Sequence, residues 1–126
     1  MGDRANVRFI DNADSKDIYL YTHHDGDELP FIVKKALARK LRWDDPSYLC
    51  RIIFCALVKD DVDGELGYGI STYRCDYNYP DTIVNAFERT VQINDKTWTF
   101  DEYINTPDEE IKKVYFGEDN CEIPSF

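Results

Sequence analysis

The most informative stretch of the sequence spans residues 45–58 and reads DPSYLCRIIFCALV. The side chain of Asp45 can cap a helix and Pro46 suits the first helical position, so this pair predicts a helix start. The residues that follow are apolar almost all round, with Arg51 as the single charge. A helix with so little polar surface is typical of a buried element. We therefore predict a central core helix around which the rest of the chain packs.

The residues before this helix predict a β-hairpin followed by a first helix. Residues 6–11 and 17–22 alternate between apolar and polar types, which is the pattern of two half-buried strands. A helical stripe of apolar residues follows, with Pro30 in its first turn. The stripe consists of Leu29, Val33, Ala36, Leu37 and Leu41.

The opposite side of this first helix is basic. We interpret it as a solvated face whose cations are favoured near the helix C-terminus by the helix dipole. No acid interrupts its five bases, which are Lys34, Lys35, Arg39, Lys40 and Arg42.

The residues after the core helix predict three strands and two short helices. The strands are expected near residues 67–74, 82–87 and 90–93. Capping boxes at Thr99 and Thr106 predict the helices. The predicted order is β-β-α-α-β-β-β-α-α, which favours an α+β fold with an antiparallel sheet. The length fits one domain over residues 1–126, with residues 117–126 as a loosely ordered acidic tail.

Charge is divided unevenly along the chain. Residues 1–58 hold 9 acids and 9 bases, whereas residues 59–126 hold 16 acids and 6 bases, so the net charge of −10 lies entirely in the second part. Such an acidic chain is not expected to bind nucleic acid directly. No segment predicts a membrane span or a signal peptide, so we expect a cytoplasmic protein.

The cysteines and the acidic loop give little support for a bound metal or cofactor. Four cysteines without a CxxC pair are expected to be reduced thiols in a cytosol. Aligning Gly64 with the invariant glycine of a calcium loop places Lys59 and Ile70 where acids are required, so that motif fails. We expect neither a metal nor a cofactor.

Tyrosines and acids in the second part of the chain predict a protein-binding surface. Tyrosine beside arginine is typical of interaction hot spots, although alternating tyrosines also occur on half-buried sheet faces. The predicted contact residues are Asp60, Asp61, Asp63, Tyr73, Arg74, Tyr77 and Tyr79.

A second hypothesis places a ligand pocket near the histidine pair. His23 next to Asp25 could serve in acid–base chemistry, whereas the adjacent His24 is expected to point to the opposite side. A polar loop that caps the following helix is the simpler interpretation. The residues of the alternative pocket are Tyr21, His23, Asp25, Tyr68 and Ser71.

Several motifs together resemble a family of small uncharacterised proteins of bacteria, their phages and prophages. The likeness runs over residues 5–105 and rests on YLYTH (residues 19–23), LP (29–30), RWDD (42–45), YLCRIIF (48–54) and GYGIS (67–71). His24 stands where tryptophan is expected in that family. The resemblance implies a protein of the cytoplasm of a bacterial host and supplies no catalytic residues.

Three functions remain open from the sequence. The first is a small acidic, non-enzymatic phage or prophage accessory protein. It would inhibit or modulate a host defence or nucleic-acid-processing protein by binding a basic surface of that host protein. The second is a binder or hydrolase of small molecules or nucleotides that uses the loop of His23 and Asp25. The third is a structural homo-oligomer or virion component, and a homodimer is compatible with the separation of basic and acidic surfaces.

Overall fold

Strands and helices follow one another in groups along the chain. The computed structural model describes residues 3–12 and 16–117. Its ten elements are β1 (Ala5–Ile10), β2 (Ile18–Thr22), α1 (Leu29–Ala38), α2 (Pro46–Val58), β3 (Tyr68–Ser71), β4 (Thr82–Asn85), β5 (Thr90–Ile93), β6 (Lys96–Thr99), α3 (Phe100–Asn105) and α4 (Asp108–Phe116). The α+β class and the N-terminal hairpin are confirmed.

The six strands form one mixed sheet in the order β3-β2-β1-β4-β5-β6. The prediction of an antiparallel sheet is right for four of the five strand pairs. It is wrong for β1 and β4, which pair in parallel with Val7 opposite Thr82. Parallel neighbours need a crossover connection, and here that connection contains β2, both long helices and β3. The predicted order also lacks β6, whose four residues pair with β5 after a tight turn.

The two faces of the sheet have different environments. One face carries buried apolar residues such as Val7, Leu20 and Val84, and it packs under the helices. Helix α1 lies at the middle of that layer and contacts α2, α3, α4 and β1. On the opposite face, Arg8 and Gln92 remain accessible to solvent.

Helix α2 begins as predicted and buries one side. Asp45 caps it by accepting a hydrogen bond from the Tyr48 backbone N–H at 3.5 Å, and Pro46 occupies the first turn. The prediction of burial on all sides is only partly right, because Tyr48 and Cys55 are exposed while Leu49 is fully buried.

The end of α1 differs from the prediction. The helix stops at Ala38, so Leu41 lies outside the apolar stripe and is exposed. The chain then turns through left-handed backbone at Lys40 and Arg42, with φ values of 56° and 57°. Trp43 secures this turn because its indole Nε1 donates to the carbonyl oxygen of Leu37 at 3.1 Å.

The capping box at Thr99 is confirmed, and the one at Thr106 is wrong. Thr99 and Glu102 exchange both hydrogen bonds of the motif. The Thr106 hydroxyl instead donates to the carbonyl oxygen of Glu102 at 2.6 Å, and α4 begins after Pro107 without a side-chain cap. Residues 118–126, which hold most of the predicted acidic tail as well as Cys121, lie outside the described residues.

Candidate functional site

Exposed apolar side chains are frequent in the edge strand β3 and in the segments that flank it along the chain. Within the described ranges 3–12 and 16–117, five of the eight large hydrophobic residues classed as exposed fall between residues 62 and 77. Their exposed fractions range from 52% to 78%. These five, Val62, Leu66, Ile70, Tyr73 and Tyr77, together with Asp60, Asp61 and Asp63, are called here the β3 edge surface.

The position of β3 at the sheet edge explains why its apolar residue is exposed. Ile70 pairs with Leu20 of β2, so the two side chains project from the same face of the sheet. Leu20 is 1% exposed and Ile70 is 60% exposed. The helix layer therefore covers Leu20 of β2 but leaves Ile70 of β3 uncovered, although Tyr68 at the start of β3 still lies beside α1 and α2.

Acidic side chains border this apolar surface. Asp60, Asp61 and Asp63 lie in the connection from α2 to β3 and are all exposed. The Asp61 carboxylate folds against Gly64, where a β-carbon would collide with it. The connection therefore holds its carboxylates beside Val62, giving an apolar surface with a negative rim.

A buried asparagine fixes the segment that carries Tyr73 and Tyr77. Asn6 of β1 is fully buried and bonds both backbone groups of Cys75: its Nδ2 donates to the carbonyl oxygen at 3.1 Å, and its Oδ1 accepts from the N–H at 3.2 Å. Asn78 exchanges a second pair of bonds with the backbone of Arg4. The exposed tyrosines therefore extend from a segment that is tied to the centre of the sheet.

Arg74 contributes to the orientation of Tyr77. Its Nε donates to Asp81 Oδ1 at 3.0 Å, and its guanidinium carbon lies 3.7 Å from the centre of the Tyr77 ring. Burial raises the pKa of Asp81, and the charge of Arg74 opposes that shift. Arg74 is thus engaged within the molecule, and its structural effect is to hold one face of Tyr77.

Tyr79 lies apart from the other predicted contact residues. Its ring stacks on Tyr115 of α4 with centroids 5.4 Å apart, and its hydroxyl donates to Asp3 Oδ1 at 3.2 Å. It is half-buried. The structure therefore brings Tyr73 and Tyr77 to the surface and packs Tyr79 against a helix.

The five residues of the predicted ligand pocket are divided between two faces of the sheet. Tyr68 is opposite Thr22, whereas Tyr21 is opposite Gly69, so neighbouring positions project to opposite sides. Asp25 and Tyr68 line a cleft of about 330 Å³ beside α1 and α2, which Tyr21, His23 and Ser71 do not line. Strand alternation therefore places Tyr21 and Ser71 on the face of the sheet opposite Tyr68.

Tyr68 and Asp25 are joined by a short hydrogen bond in this cleft. The Tyr68 hydroxyl donates to Asp25 Oδ2 at 2.5 Å. This hydrogen bond, together with partial burial and the charges of Asp25, Asp61 and Asp60, raises the pKa of Tyr68 to about 12. Tyr68 therefore remains a proton donor at neutral pH and is unsuited to act as a general base.

The histidine pair is engaged in local packing. The Tyr21 hydroxyl and His23 Nδ1 lie 3.1 Å apart, within hydrogen-bond distance. The rings of His23 and His24 meet edge to face at 4.9 Å, contrary to the expectation that they point apart, because the chain bends at both residues. The His24 ring also lies against Gly67, whose φ of 103° and lack of a side chain allow that approach.

Metal ligands are not grouped in the part of the chain that the structure describes. There, no three His, Cys, Asp or Glu side chains lie close enough together to hold an ion. Cys50, Cys55 and Cys75 are free thiols.

The sequence analysis identified Tyr73 and Tyr77 but not Val62, Leu66 and Ile70 of the β3 edge surface, and it did not identify the role of Asn6. The apolar type of Val62 among aspartates was a usable signal, because apolar residues in polar connections are exposed unless the chain folds back over them. Ile70 gave no such signal, because an edge strand and a central strand share the same alternation. Asn6 resembles any polar residue of an alternating strand.

Comparison with known proteins adds no functional information. No family model matches the sequence, and no match was found among curated proteins or solved structures. Among the described residues, no helix is both long and apolar enough to cross a bilayer.

Proposed function

We propose that this protein is a non-enzymatic protein-binding module and that the β3 edge surface is its contact surface. The observation that carries the proposal is the exposure of large apolar residues in and beside this edge strand, with Val62, Leu66, Ile70 and Tyr73 each at least 60% exposed. Exposed large apolar side chains among polar ones are typical of protein interaction sites.

The charge around this surface indicates a partner with basic groups. Asp60, Asp61 and Asp63 lie at one end of β3, and the net charge of −10 gives the whole molecule a negative field. Complementary charge speeds encounter and disfavours acidic competitors. Desolvation of Val62, Leu66 and Ile70 would supply most of the binding free energy.

The unpaired edge of β3 gives this partner a specific way to bind. β3 is the terminal strand of the sheet and pairs only with β2 among the described strands. An extended segment of a partner could add a strand here through backbone hydrogen bonds.

The biological setting of this binding is also a proposal. The resemblance to small bacterial, phage and prophage proteins favours an accessory protein that inhibits or modulates a host protein. The acidic rim suits a host protein whose basic surface ordinarily contacts nucleic acid. Inhibition would then follow from occupation of that surface, without any chemical step.

The test combines capture with matched variants. Tagged protein is incubated in bacterial lysate at moderate salt, bound proteins are identified, and each is purified and measured for direct binding.

The edge variant carries Asp60→Lys, Asp61→Lys, Asp63→Lys, Tyr73→Ala and Tyr77→Ala. The control carries Asp101→Lys, Glu109→Lys and Glu110→Lys, which change charge equally on exposed positions of α3 and α4. We expect the edge variant to lose at least tenfold in affinity and the control to keep most of it. Equal retention by both variants would refute the proposal.

A second candidate function rests on the cleft of Asp25 and Tyr68. The cleft combines carboxylates with Lys35 and Lys59 over an apolar base that includes Ile32 and Leu57. Such a mixture suits a small zwitterionic ligand. A thermal-shift panel of amino acids and nucleotides tests it, because a ligand that binds the native state raises the melting temperature. A shift that persists in Asp25→Asn would exclude this cleft as the site.

A further inference from the structure

Three arginines and a tyrosine surround a cleft on the exposed side of α2. This arginine cleft has a volume of about 310 Å³ and is lined by Arg39, Leu41, Arg42, Tyr48, Arg51, Ile52 and Cys55. Arg39 follows the last residue of α1, Arg42 lies in the connection to α2, and Arg51 is on α2 itself. Three cations from three parts of the chain therefore converge on one concave surface.

The backbone that carries two of these arginines is fixed in an unfavourable conformation. Lys40 and Arg42 have φ values of 56° and 57°, a region that non-glycine residues rarely adopt. The connection is held at both ends, by Trp43 Nε1 bonded to Leu37 and by Asp45 capping α2. Trp43 also meets Phe100 edge to face at 5.3 Å. The backbone on one side of the cleft is thus held by contacts within the protein, which lowers the cost of ordering it when a ligand binds.

Tyr48 lies between two of the guanidinium groups. The guanidinium carbon of Arg42 is 4.7 Å from the centre of the Tyr48 ring, and that of Arg51 is 5.9 Å away. Arg51 also has a weak contact to Cys55 Sγ at 3.9 Å. These contacts orient the guanidiniums beside the ring without using their charge on an acid.

The arginines of this cleft form no ion pair within the part of the chain that the structure describes. The ion pairs found among residues 3–12 and 16–117 involve Arg8, Lys34, Arg74 and Lys112, and none involves Arg39, Arg42 or Arg51. No carboxylate of those residues lines the cleft. In a chain of net charge −10, a concave surface with three unneutralised guanidiniums is a local reversal of the field.

We propose that the arginine cleft binds a small phosphate monoester. Guanidinium groups match the oxygens of phosphate with paired hydrogen bonds, and a dianion with several acceptor oxygens can engage more than one of them. Leu41 and the Tyr48 ring offer apolar surface to the organic part of the ester. The volume lies near the lower limit of ligand pockets, which selects a small ligand.

This site is independent of the proposed protein-binding surface. The arginine cleft shares no lining residue with the cleft of Asp25 and Tyr68 or with the acidic connection at residues 59–64. Occupation of one surface leaves the other accessible, so either proposal can fail alone.

The test uses phenyl phosphate and inorganic phosphate as probes of the intact protein. Amide chemical shifts are followed by NMR during titration at constant ionic strength, with benzoate and phenyl sulfate as controls for charge and shape. We expect saturable shifts confined to residues 39–55 and weaker binding of benzoate. Arg42→Gln and Arg51→Gln are each expected to weaken phenyl phosphate binding about tenfold.

Two further variants separate specific recognition from bulk charge. Lys112→Gln removes one exposed cation from α4 and is expected to leave binding unchanged. Arg51→Lys keeps the charge but loses the paired geometry, so it is expected to weaken binding more than Lys112→Gln does. Equal weakening by Lys112→Gln and Arg51→Gln, or absence of saturation by phenyl phosphate, would overturn the proposal. Binding of a single-stranded oligonucleotide without binding of phenyl phosphate would do so as well.

Discussion

Tyr79 stacks on Tyr115 with ring centroids 5.4 Å apart and an interplanar angle of 17°. The Tyr115 hydroxyl in turn donates to the carbonyl oxygen of Gly26 at 2.6 Å. The two tyrosines thereby connect the segment before β4, the helix α4 and the turn before α1. The tyrosine cluster of the sequence thus contains residues with different roles: Tyr79 holds elements together, whereas Tyr73 projects into solvent.

This division predicts effects of different size on the free energy of unfolding from two similar substitutions. Tyr79→Ala is expected to lower the free energy of unfolding by about 2 kcal/mol, because it removes a packed ring and a hydrogen bond. Tyr73→Ala is expected to change it by less than about 0.5 kcal/mol. Urea denaturation monitored by circular dichroism measures both. Equal stabilities would mean that the stacking contributes nothing.

The buried Asn6 is expected to control the order of the segment that carries the exposed tyrosines. Asn6→Ala removes both hydrogen bonds to Cys75 and leaves two backbone groups unpaired, at a cost of about 2 kcal/mol. Amide hydrogen exchange should therefore accelerate over residues 72–78. Gln92→Ala, an exposed substitution on the same face of the sheet, is the control and should leave exchange in that segment unchanged.

The hydrogen bond from Tyr68 to Asp25 predicts a pH dependence at the alkaline end. The pKa of Tyr68 is raised to about 12, above its ordinary value near 10. Its contribution to stability is thus fully present below about pH 10 and is lost as the pH rises toward 12. The pKa values of Tyr103 and Tyr115 are also raised. The contribution of Tyr68 must therefore be found by comparing the pH profile of stability of a Tyr68 variant with that of the unaltered protein. Tyr68→Phe should flatten the loss of stability over this range, and a profile parallel to that of the unaltered protein would contradict the assignment.

The capping box of α3 is expected to contribute to the stability of the protein, so its removal should lower the free energy of unfolding. The Thr99 hydroxyl oxygen accepts from the Glu102 backbone N–H at 3.1 Å, and Glu102 Oε1 accepts from the Thr99 backbone N–H at 2.9 Å. Thr99→Ala is expected to lower the free energy of unfolding by about 1 kcal/mol. Thr72→Ala, at an exposed position in the connection after β3, serves as the control. Thermal denaturation of both variants provides the measurement.

The cysteines of α2 are expected to differ in reactivity. Burial raises the pKa of the Cys50 thiol to about 11, whereas Cys55 on the same helix is exposed. Because the thiolate is the reactive form, a disulfide reagent near pH 8 should modify Cys55 well before Cys50. Mass spectrometry of a protein carrying Cys75→Ser and Cys121→Ser resolves the two sites. Faster modification of Cys50 would show that its surroundings open readily.

The sequence predicted the elements whose signals are local. Asp45 with Pro46 and Thr99 with Glu102 specify helix starts within four residues, and the structure has both. The end of α1 was not predictable in the same way, because Leu41 continues the apolar spacing while the chain turns away before it. The parallel pairing of β1 with β4 has no local signal at all.

The candidate surfaces were predictable only in part. Asp60, Asp61 and Asp63 are exposed, as an acidic connection should be. The exposure of Ile70 depends on how far the helix layer extends over the sheet, and the burial of Tyr79 depends on where α4 ends. Tyr21 and Tyr68 project from opposite faces of the sheet because neighbouring positions on paired strands alternate. This separation can be deduced only once β3 is known to pair with β2.

The parallel pair of β1 and β4 also constrains how the chain can reach its native state. β1 begins at residue 5 and its parallel neighbour begins at residue 82, so one side of β1 has no native partner until most of the chain has been synthesised. Closing such a distant contact is entropically costly and slows folding. On the ribosome, the early hairpin and both long helices must wait with an open strand edge, and during that interval the nascent chain is most exposed to mispairing.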